Sequence, residues 1–398
     1  MSIVSKQVDG YLARSSMIRR MFDAGIELKK IHGNDSVCDF SLGNPDLPAP
    51  VAVKNKLAEL AEQALEPNKF GYMPNAGFPW AREALAGYLG KEQNVSLAAS
   101  EVVITVGAAG GINVLLRAIM DPGDELLAFS PYFVEYGFYA ENSGGSFRTI
   151  PTAPDFGPDM AALEKALTPS VRAVIINSPN NPTGRIYTRA ELQAICDLLA
   201  AKSREFGRPI FLLSDEPYRY LVYDGEEVPP VLPLYEYAVV VGSFSKTLGL
   251  AGERIGYLAF APQMPDLEKL VNACVLTNRI LGFVNPPVVG QHLMVAGLGS
   301  QVDVSVYDAR RKAMAEVLDN AGIEYVMPKG AFYFFPKVPA GANGDDKLFV
   351  QKLVDELVLV VPGSGFGCPG HFRMTFCMDE SVIRRAMEPF ARAVKAFS

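Results

Sequence analysis

Short apolar segments alternate with longer amphipathic ones in the middle of this 398-residue chain. Apolar runs of five to eight residues fit buried strands, and an amphipathic segment between two of them lets the chain cross back over a sheet. This alternation predicts an α/β fold with a mostly parallel sheet that helices cover on both faces. The predicted strands are 101–106, 125–129, 171–177, 209–214, 238–243 and 254–261, and the predicted helices between them include 108–120 and 189–206.

After about residue 304 the regular alternation stops, and helices surround a single aromatic strand. This change predicts a second, smaller α+β domain, in line with a length that exceeds one simple core. We divide the chain into a large domain, 49–312, and a small domain formed by 1–48 and 313–398. The predicted elements of the small domain are helices at 16–30, 305–321, 346–357 and 381–397, and strands at 330–336 and from Asp39.

Charge and cysteine content argue against several classes of function. There are 37 Lys and Arg and 44 Asp and Glu, a formal charge of −7 without a long basic block, so neither nucleic acid nor an anionic membrane is an expected partner. No apolar run could span a bilayer, and residues 1–20 lack the apolar core of a secretory signal. The five cysteines form no C-x-x-C pair, and the three histidines have no metal-binding spacing. We expect a cytoplasmic protein with reduced thiols and no metal site.

Small and polar residues directly follow several of the predicted strands. In an open parallel sheet, ligands bind outside the carboxyl ends of the strands, so these segments predict one shared crevice. The segments begin at Gly107, Pro131, Asn181, Asp215 and Ser243.

Lys246 carries the most informative chemistry of these segments. It follows an apolar strand and lies between a serine and a threonine. A lysine at the rim of a sheet can be partly desolvated, which lowers its pKa and makes it nucleophilic. Arg254, eight residues later, adds a permanent cation. The pair suits a ligand with a carbonyl and a phosphate, in which Lys246 forms an imine with the carbonyl; an ordinary surface lysine is the alternative.

A helix N-terminus, two serines and an arginine predict a cup for that phosphate. Small residues let backbone N–H groups approach an anion at the start of a helix, and an arginine can bind it bidentately. Tight packing of strand against helix would also explain the small residues. The predicted cup consists of Gly107, Ala108, Ala109, Ser243, Ser245 and Arg254.

Four further residues fit an aromatic cofactor and an anionic substrate. Asp215 ends an apolar strand and could pair with a protonated ring nitrogen, although a turn aspartate is equally consistent. Tyr218 could donate to a phenolic oxygen and Phe133 could stack on the ring, or both could simply pack. Arg373 lies inside an apolar strand, so it needs an anion, either a substrate carboxylate or an internal ion pair.

These residues, in this order and spacing, resemble the fold-type I pyridoxal-5′-phosphate enzymes, specifically the class I/II aminotransferases related to aspartate aminotransferase. The likeness extends from about Phe40 to Arg373 and implies a mostly parallel, mixed seven-stranded sheet sandwiched by helices, with a smaller α+β domain. The matching motifs are Ser-Leu-Gly43-Asn-Pro, Tyr72-Met-Pro-Asn-Ala-Gly77, Asp121-Pro-Gly-Asp-Glu, Asn177-Ser-Pro-Asn-Asn181-Pro-Thr-Gly184, Asp215-Glu-Pro-Tyr218, Ser243-Phe-Ser-Lys246 with Arg254, and Phe372-Arg373-Met.

The resemblance implies a role for each residue around the cofactor ring. Lys246 would form the imine with pyridoxal phosphate and act as the base that moves the substrate proton. Asp215 would pair with the ring nitrogen and keep it protonated. Tyr218 and Asn181 would bond the phenolic oxygen, and Phe133 would stack on the ring.

The resemblance also implies how phosphate, substrate and a second subunit are held. Ala108, Ala109, Ser243 and Arg254 match the phosphate cup. Tyr72 would reach the phosphate of the neighbouring subunit, which implies a homodimer with shared sites. Arg373 and Asn181 would bind the substrate α-carboxylate, and Gly43 lies in the loop that closes over substrate.

Two positions depart from the family pattern. Ala108 and Ala109 replace hydroxyl residues that often bind the phosphate. Some aspartate-specific members carry an arginine for the distal carboxylate, but here the spacing before Asn285 places Ile280 at that position and Arg279 one residue away.

An aminotransferase that moves an α-amino group between an amino acid and a 2-oxo acid by a ping-pong mechanism is the leading interpretation, with aspartate or a related amino acid as a possible donor. A lyase, decarboxylase or synthase of the same fold is the alternative, and a non-enzymatic sensor domain is a third. The amino donor and acceptor stay open at this point.

Overall fold

The strands of the protein fall into one large sheet and two small ones in the computed structural model, which describes residues 3–13 and 17–397. In chain order the strands are β1 (Cys38–Asp39), β2 (Val102–Val106), β3 (Glu125–Ser130), β4 (Ser146–Pro151), β5 (Val171–Asn177), β6 (Phe211–Asp215), β7 (Ala238–Ser243), β8 (Ile255–Phe260), β9 (Tyr333–Phe334), β10 (Val358–Leu359), β11 (Val361–Pro362) and β12 (Phe372–Thr375).

The helices flank these sheets and connect their strands. In chain order they are α1 (Lys6–Ala13), α2 (Met17–His32), α3 (Val51–Glu62), α4 (Pro79–Gln93), α5 (Gly107–Ile119), α6 (Glu135–Asn142), α7 (Met160–Ala166), α8 (Arg189–Phe206), α9 (Leu267–Ile280), α10 (Val288–Gly297), α11 (Val304–Asn320), α12 (Asp346–Asp355), α13 (Glu380–Arg385) and α14 (Met387–Lys395). Ser16, where the first predicted helix begins, lies outside the described residues.

The large sheet has seven strands within the described part of the chain, in the order β2-β8-β7-β6-β5-β3-β4. Strand β8 runs antiparallel to both of its neighbours, and the other pairs are parallel. The carboxyl ends of β2, β3, β5, β6 and β7 therefore lie at one edge. The predicted α/β fold with a mostly parallel, mixed sheet is confirmed.

Strand β4 was not among the predicted strands. Five of its six residues have exposed or half-buried side chains, and only Ile150 is buried. An edge strand like this lacks the apolar run that marks the buried strands, because one side of it has no neighbour to cover.

Two large hydrophobic cores and a small third one, around Phe335 and Phe366, stabilise the described part of the molecule. The first packs around the large sheet, and the second includes Phe40, Tyr218, Tyr307 and Phe332. Pairing of β1 with β10 joins the N-terminal segment to the second core. The boundaries 48/49 and 312/313 stay a prediction.

The last elements of the chain differ in detail from the prediction. The aromatic strand 330–336 is reduced to β9, which pairs with β12. The terminal helix 381–397 is two helices, α13 and α14, which meet at Ala386. Among the described residues, none of the helices is sufficiently long and apolar to cross a membrane.

Candidate active site

A cavity of about 680 Å³ lies where the carboxyl ends of the large sheet face the second core. Its walls come from four sources: the strand ends, the start of α5, the N-terminal segment and the β9 and β12 region. Twelve of the residues predicted from sequence line it, namely Gly43, Ala108, Ala109, Phe133, Asn181, Asp215, Tyr218, Ser243, Ser245, Lys246, Arg254 and Arg373. The other two, Gly107 and Tyr72, do not.

Lys246 follows β7 and its ammonium group lies inside the cavity wall. Its Nζ donates to the Gly43 carbonyl oxygen at 3.3 Å and lies 5.4 Å from the centre of the Phe332 ring. Burial lowers the pKa of Lys246 to about 8, Arg254 and Arg373 add to the shift, and Cys377 opposes it. A lysine with this pKa exists partly as a neutral amine near neutral pH, which is the form that attacks carbonyls.

Gly43 must be a glycine because of its neighbours. A Cβ atom there would lie 2.2 Å from the Tyr333 hydroxyl and 2.6 Å from a Phe332 ring carbon. The N-terminal loop thus passes directly over the aromatic floor of the second core, which places the Gly43 carbonyl against Lys246.

Asp215 is a buried carboxylate with one oxygen unsatisfied. Tyr136 donates its hydroxyl to Oδ2 at 2.5 Å, whereas Oδ1 has no hydrogen-bond partner among the described residues. Burial raises the pKa of Asp215 to about 7; the Tyr136 bond lowers it and Glu216 raises it. A buried acceptor without a donor is costly, so Oδ1 is suited to an N–H group that the described residues do not supply.

Arg373 is buried in the opposite wall, on β12. It is 2% exposed and lies between two aromatic rings, 4.6 Å from the Tyr333 centroid and 4.8 Å from the Phe366 centroid. It donates to Asn181 Oδ1 at 3.1 Å and to the Ser41 carbonyl oxygen at 2.6 Å. No acidic partner is recorded for this guanidinium among the described residues, and its Nε is unsatisfied. The internal ion pair considered from sequence is therefore not formed, and N–H groups remain for an anion.

The predicted phosphate cup has a backbone part and a cationic part. Helix α5 begins at Gly107, whose φ is +69°, and a Cβ there would lie 2.7 Å from Arg254 Nη2. Arg254 itself has a left-handed φ of 52° and donates to the Ala251 carbonyl oxygen at 2.9 Å. A non-glycine residue in this conformation stores strain, which concentrates at functional sites. Gly107 therefore lies behind the cup, where it makes room for Arg254.

Three residues that the sequence analysis missed position the predicted ones. Asn177 donates to the Asp215 carbonyl oxygen at 2.8 Å and accepts from the Asn181 N–H at 2.6 Å. The Tyr333 hydroxyl lies 3.2 Å from the Tyr218 hydroxyl. Tyr136 also packs edge-on against Phe133, with ring centres 5.5 Å apart. Asn177 directly ends a predicted strand, so its place at the edge was readable; Tyr136 and Tyr333 carried no such signal.

Tyr72 and Arg279 lie away from this cavity. Tyr72 is 94% exposed, and Arg279 is exposed at the end of α9. Tyr72 lines a separate, open surface pocket together with Phe70 and Phe283. Within one chain, neither residue reaches Lys246.

The cavity fits pyridoxal phosphate in each of its parts. Lys246 offers an amine of lowered pKa, Asp215 an unsatisfied carboxylate oxygen and Arg254 a cation beside a helix N-terminus. Phe133 lines the same space as an aromatic wall. Among the described residues, groups of three or more His, Cys, Asp or Glu that could hold a metal ion are absent.

Known proteins resemble this chain over nearly its whole length. The sequence profile of the family "Aminotransferase class I and II" matches residues 35–390. The aspartate/prephenate aminotransferase of Thermus thermophilus is 33% identical, with 93% of each chain covered. The aspartate aminotransferase of Thermotoga maritima is 31% identical, over 90% of this chain and 91% of the relative.

Solved structures give the same picture. An aminotransferase from Eubacterium rectale superposes with a TM-score of 0.95 at 35% identity and covers all of both chains. The aspartate aminotransferase from Thermus thermophilus with maleate has a TM-score of 0.86 at 30% identity, over 99% of this chain and 100% of that one.

Proposed function

Since the chain belongs to the class I and II aminotransferases, we propose that Lys246, Asp215 and Arg373 carry its reaction. The protein is a pyridoxal-phosphate-dependent aminotransferase that moves an α-amino group between an amino acid and a 2-oxo acid by a ping-pong mechanism. When bound, pyridoxal phosphate supplies an exchangeable carbonyl and an electron-withdrawing ring. The observation that carries the assignment of residues is the pair of unsatisfied buried groups, Asp215 Oδ1 and Arg373 Nε, in the cavity that contains Lys246.

The cofactor would be held at both of its ends. Asp215 would accept from the ring N–H, and the Tyr136 hydroxyl fixes the direction of that carboxylate. Tyr218 and Asn181 would bond the phenolic oxygen, and Phe133 would cover the ring. The phosphate would bind to Ser243, Ser245, Arg254 and the first N–H groups of α5, at Ala108 and Ala109.

The substrate would be oriented by its α-carboxylate. Arg373 would bind the α-carboxylate through the N–H groups that are not bonded to Asn181 or Ser41. Asn181, which follows β5, would also bond this carboxylate. The loop at Gly43 would exclude water from above. This arrangement leaves the Cα–H bond of the substrate beside Lys246.

Lys246 would then act as the proton carrier. Its neutral amine would take the proton from Cα of the bound amino acid, and the resulting ammonium group would hold that proton until it is passed on to complete the transfer. A base of pKa about 8 suits this transfer near neutral pH, because both of its protonation states are accessible.

The donor belongs to the α-amino acids. The relatives are named for aspartate and for prephenate, so aspartate and related amino acids of similar size are the possible donors to compare. To test the function, the purified holoenzyme is mixed with single amino acids and the bound cofactor is followed by absorbance. Conversion of the cofactor to its amine form by an amino acid alone, followed by reversal with a 2-oxo acid, is the expected result. Regeneration without an oxo acid would indicate a lyase instead.

A homodimer with shared sites is also part of the proposal. Tyr72 is a nearly fully exposed aromatic residue beside the half-exposed Phe70, with which it lines a surface pocket, and this apolar exposure supports burial against a second copy. In that dimer Tyr72 would reach the phosphate of the neighbouring site. The five free cysteines further support the expected cytoplasmic location.

Mixed dimers test the sharing of sites. Lys246→Ala and Tyr72→Ala subunits are each prepared, unfolded together and refolded. A heterodimer would contain one site with native Lys246 and the native Tyr72 of the partner, so activity should exceed the sum of the two parents. Activity equal to that sum would show that Tyr72 serves its own chain or no site.

A further inference from the structure

The cavity is lined by acidic as well as basic side chains. Its cations among the described residues are Lys246, Arg254 and Arg373, and each has a role above. Asp23 and Glu135 also line it, and both are acidic. The site itself is established by the unsatisfied groups of Asp215 and Arg373, so the question is which side chain the acidic part accepts.

Resting on the proposed function, we propose that Glu135 selects amino acids whose side chain ends in a hydrogen-bond donor, an ammonium or an amide group, over those that end in a carboxylate. Glu135 is thus a specificity residue of the same site.

The position of Glu135 places it close to the reacting groups. It begins α6, two residues after Phe133, the residue proposed to cover the ring. The next residue, Tyr136, points the other way and bonds Asp215. The segment after β3 therefore contributes a ring contact, a cavity carboxylate and a support for Asp215 within four residues, 133–136.

Glu135 makes neither a hydrogen bond nor an ion pair among the described residues, although its charge, after burial, helps to raise the pKa of the neighbouring Tyr139 phenol. Its carboxyl is half-buried, and burial raises its pKa. Other half-buried acids are paired: Glu125, for example, bonds Arg148 at 2.8 Å. A donor or cation on the ligand would satisfy Glu135 and remove the cost of its burial.

A substrate side chain that ends in a carboxylate would be disfavoured. It would lie beside Glu135 and Asp23 without a free cation from the described residues of this chain, so like charges would repel. Arg279 is exposed on another surface, and only a neighbouring subunit could bring it here. The Arg279→Ala variant therefore tests whether Arg279 of a neighbouring subunit gives the site a preference for carboxylate side chains.

The experiment compares matched amino acids in the first half-reaction. The holoenzyme is mixed with asparagine or aspartate, and with glutamine or glutamate, and the rate of cofactor conversion is measured against concentration. Ornithine supplies a cationic side chain and alanine a short one. The variants are Glu135→Gln, Glu135→Asp and Arg279→Ala, and Glu388→Gln, whose side chain is 90% exposed, is the matched control.

The wild type should convert the amide and amine substrates at least about tenfold more efficiently than the carboxylates, the size expected for a hydrogen bond to a charged group. Glu135→Gln should remove most of that ratio and leave alanine unchanged, while Glu135→Asp should retain part of it. Arg279→Ala and Glu388→Gln should leave the ratio as in the wild type.

Two results would overturn the inference. The first is a wild-type preference for aspartate and glutamate, above all if Arg279→Ala abolishes it. The second is an unchanged ratio in folded Glu135→Gln or Glu135→Asp. Failure of every amino acid, alanine included, to convert the cofactor would contradict the proposed function rather than the role of Glu135.

Discussion

The two ends of the cavity are built differently. At the end proposed to hold the cofactor, Asp215 and Ser243 are the last residues of strands and Asn181 follows closely after another; all three are buried, and Asn177 bonds both Asp215 and Asn181. At the side-chain end, Asp23 and Glu135 lie on helices, are exposed or half-buried, and are unbonded among the described residues. In the proposed function, the chemistry common to every substrate would thus depend on the sheet edge, and discrimination between substrates would depend on helices whose side chains can change without disturbing that edge.

The largest effect is expected at the cofactor end, from Lys246→Ala. Loss of both nucleophile and base should lower the transamination rate about a thousandfold or more and remove the characteristic absorbance of lysine-bound cofactor. Steady-state kinetics and a spectrum check both. Lys202→Ala, which removes an ion pair with Glu205 and a contact with the Phe206 ring outside the cavity, should behave as wild type. Wild-type turnover in Lys246→Ala would end the assignment.

Arg373→Ala should act mainly on substrate binding. Removing the guanidinium should raise KM for every amino donor and lower kcat/KM about 100-fold, as for loss of a charged hydrogen-bonding group. Because the α-carboxylate is shared, the loss should be similar for all side chains. The control is Arg392→Ala, which removes an ion pair between Glu356 and an arginine side chain that is 55% exposed. An unchanged KM would place the carboxylate elsewhere.

Tyr136→Phe should produce a smaller change with a pH signature. The Tyr136 hydroxyl lowers the pKa of Asp215, so its removal raises that pKa. In the variant, Asp215 therefore becomes protonated at a higher pH than in the wild type. The acid limb of the kcat/KM profile should shift to higher pH, and kcat/KM at the optimum should fall less than about tenfold. Tyr325→Phe, which loses a surface bond to Asp319, should leave the limb in place. A loss of rate without a shift would indicate a packing role only.

The smallest effect is expected from Asp23→Asn at the side-chain end. Asp23 is exposed, so water screens its charge, and the preference for asparagine over aspartate should fall about two- to threefold. The paired half-reactions measure it. An effect larger than that of Glu135→Gln would reverse the order of the two carboxylates.

The same division explains how much the sequence could predict. Strands 171–177 and 238–243 were predicted to the residue, because a strand covered on both faces is a continuous apolar run with polar residues at its ends. The residues of the cofactor end follow such runs and were predicted with them. Their gathering in one cavity follows from the shared strand direction.

What could not be predicted depends on partners far along the chain. Tyr136 reads as one aromatic residue among several in α6, and only the fold brings it to Asp215, 79 residues away. An acidic residue at the start of a helix, such as Glu135, is ordinarily explained by its favourable interaction with the helix dipole. The break between α13 and α14 at Ala386, in contrast, has a local cause that the prediction overlooked: Pro389 has no N–H for the Arg385 carbonyl oxygen and its ring clashes with it, so the helix is interrupted one turn before the proline.

The two-residue pairing of β1 with β10 has a consequence for synthesis. Every strand of the large sheet has been made once residue 260 leaves the ribosome, so the edge that holds Lys246 can assemble early. The N-terminal segment, in contrast, must wait for Val358 and Leu359, its partners at the far end of the chain. A nascent chain would therefore bear a formed but uncovered sheet edge for the roughly one hundred residues of translation that separate residue 260 from Leu359, an interval in which second-core residues already made, such as Tyr218 and Leu221, are open to chaperones.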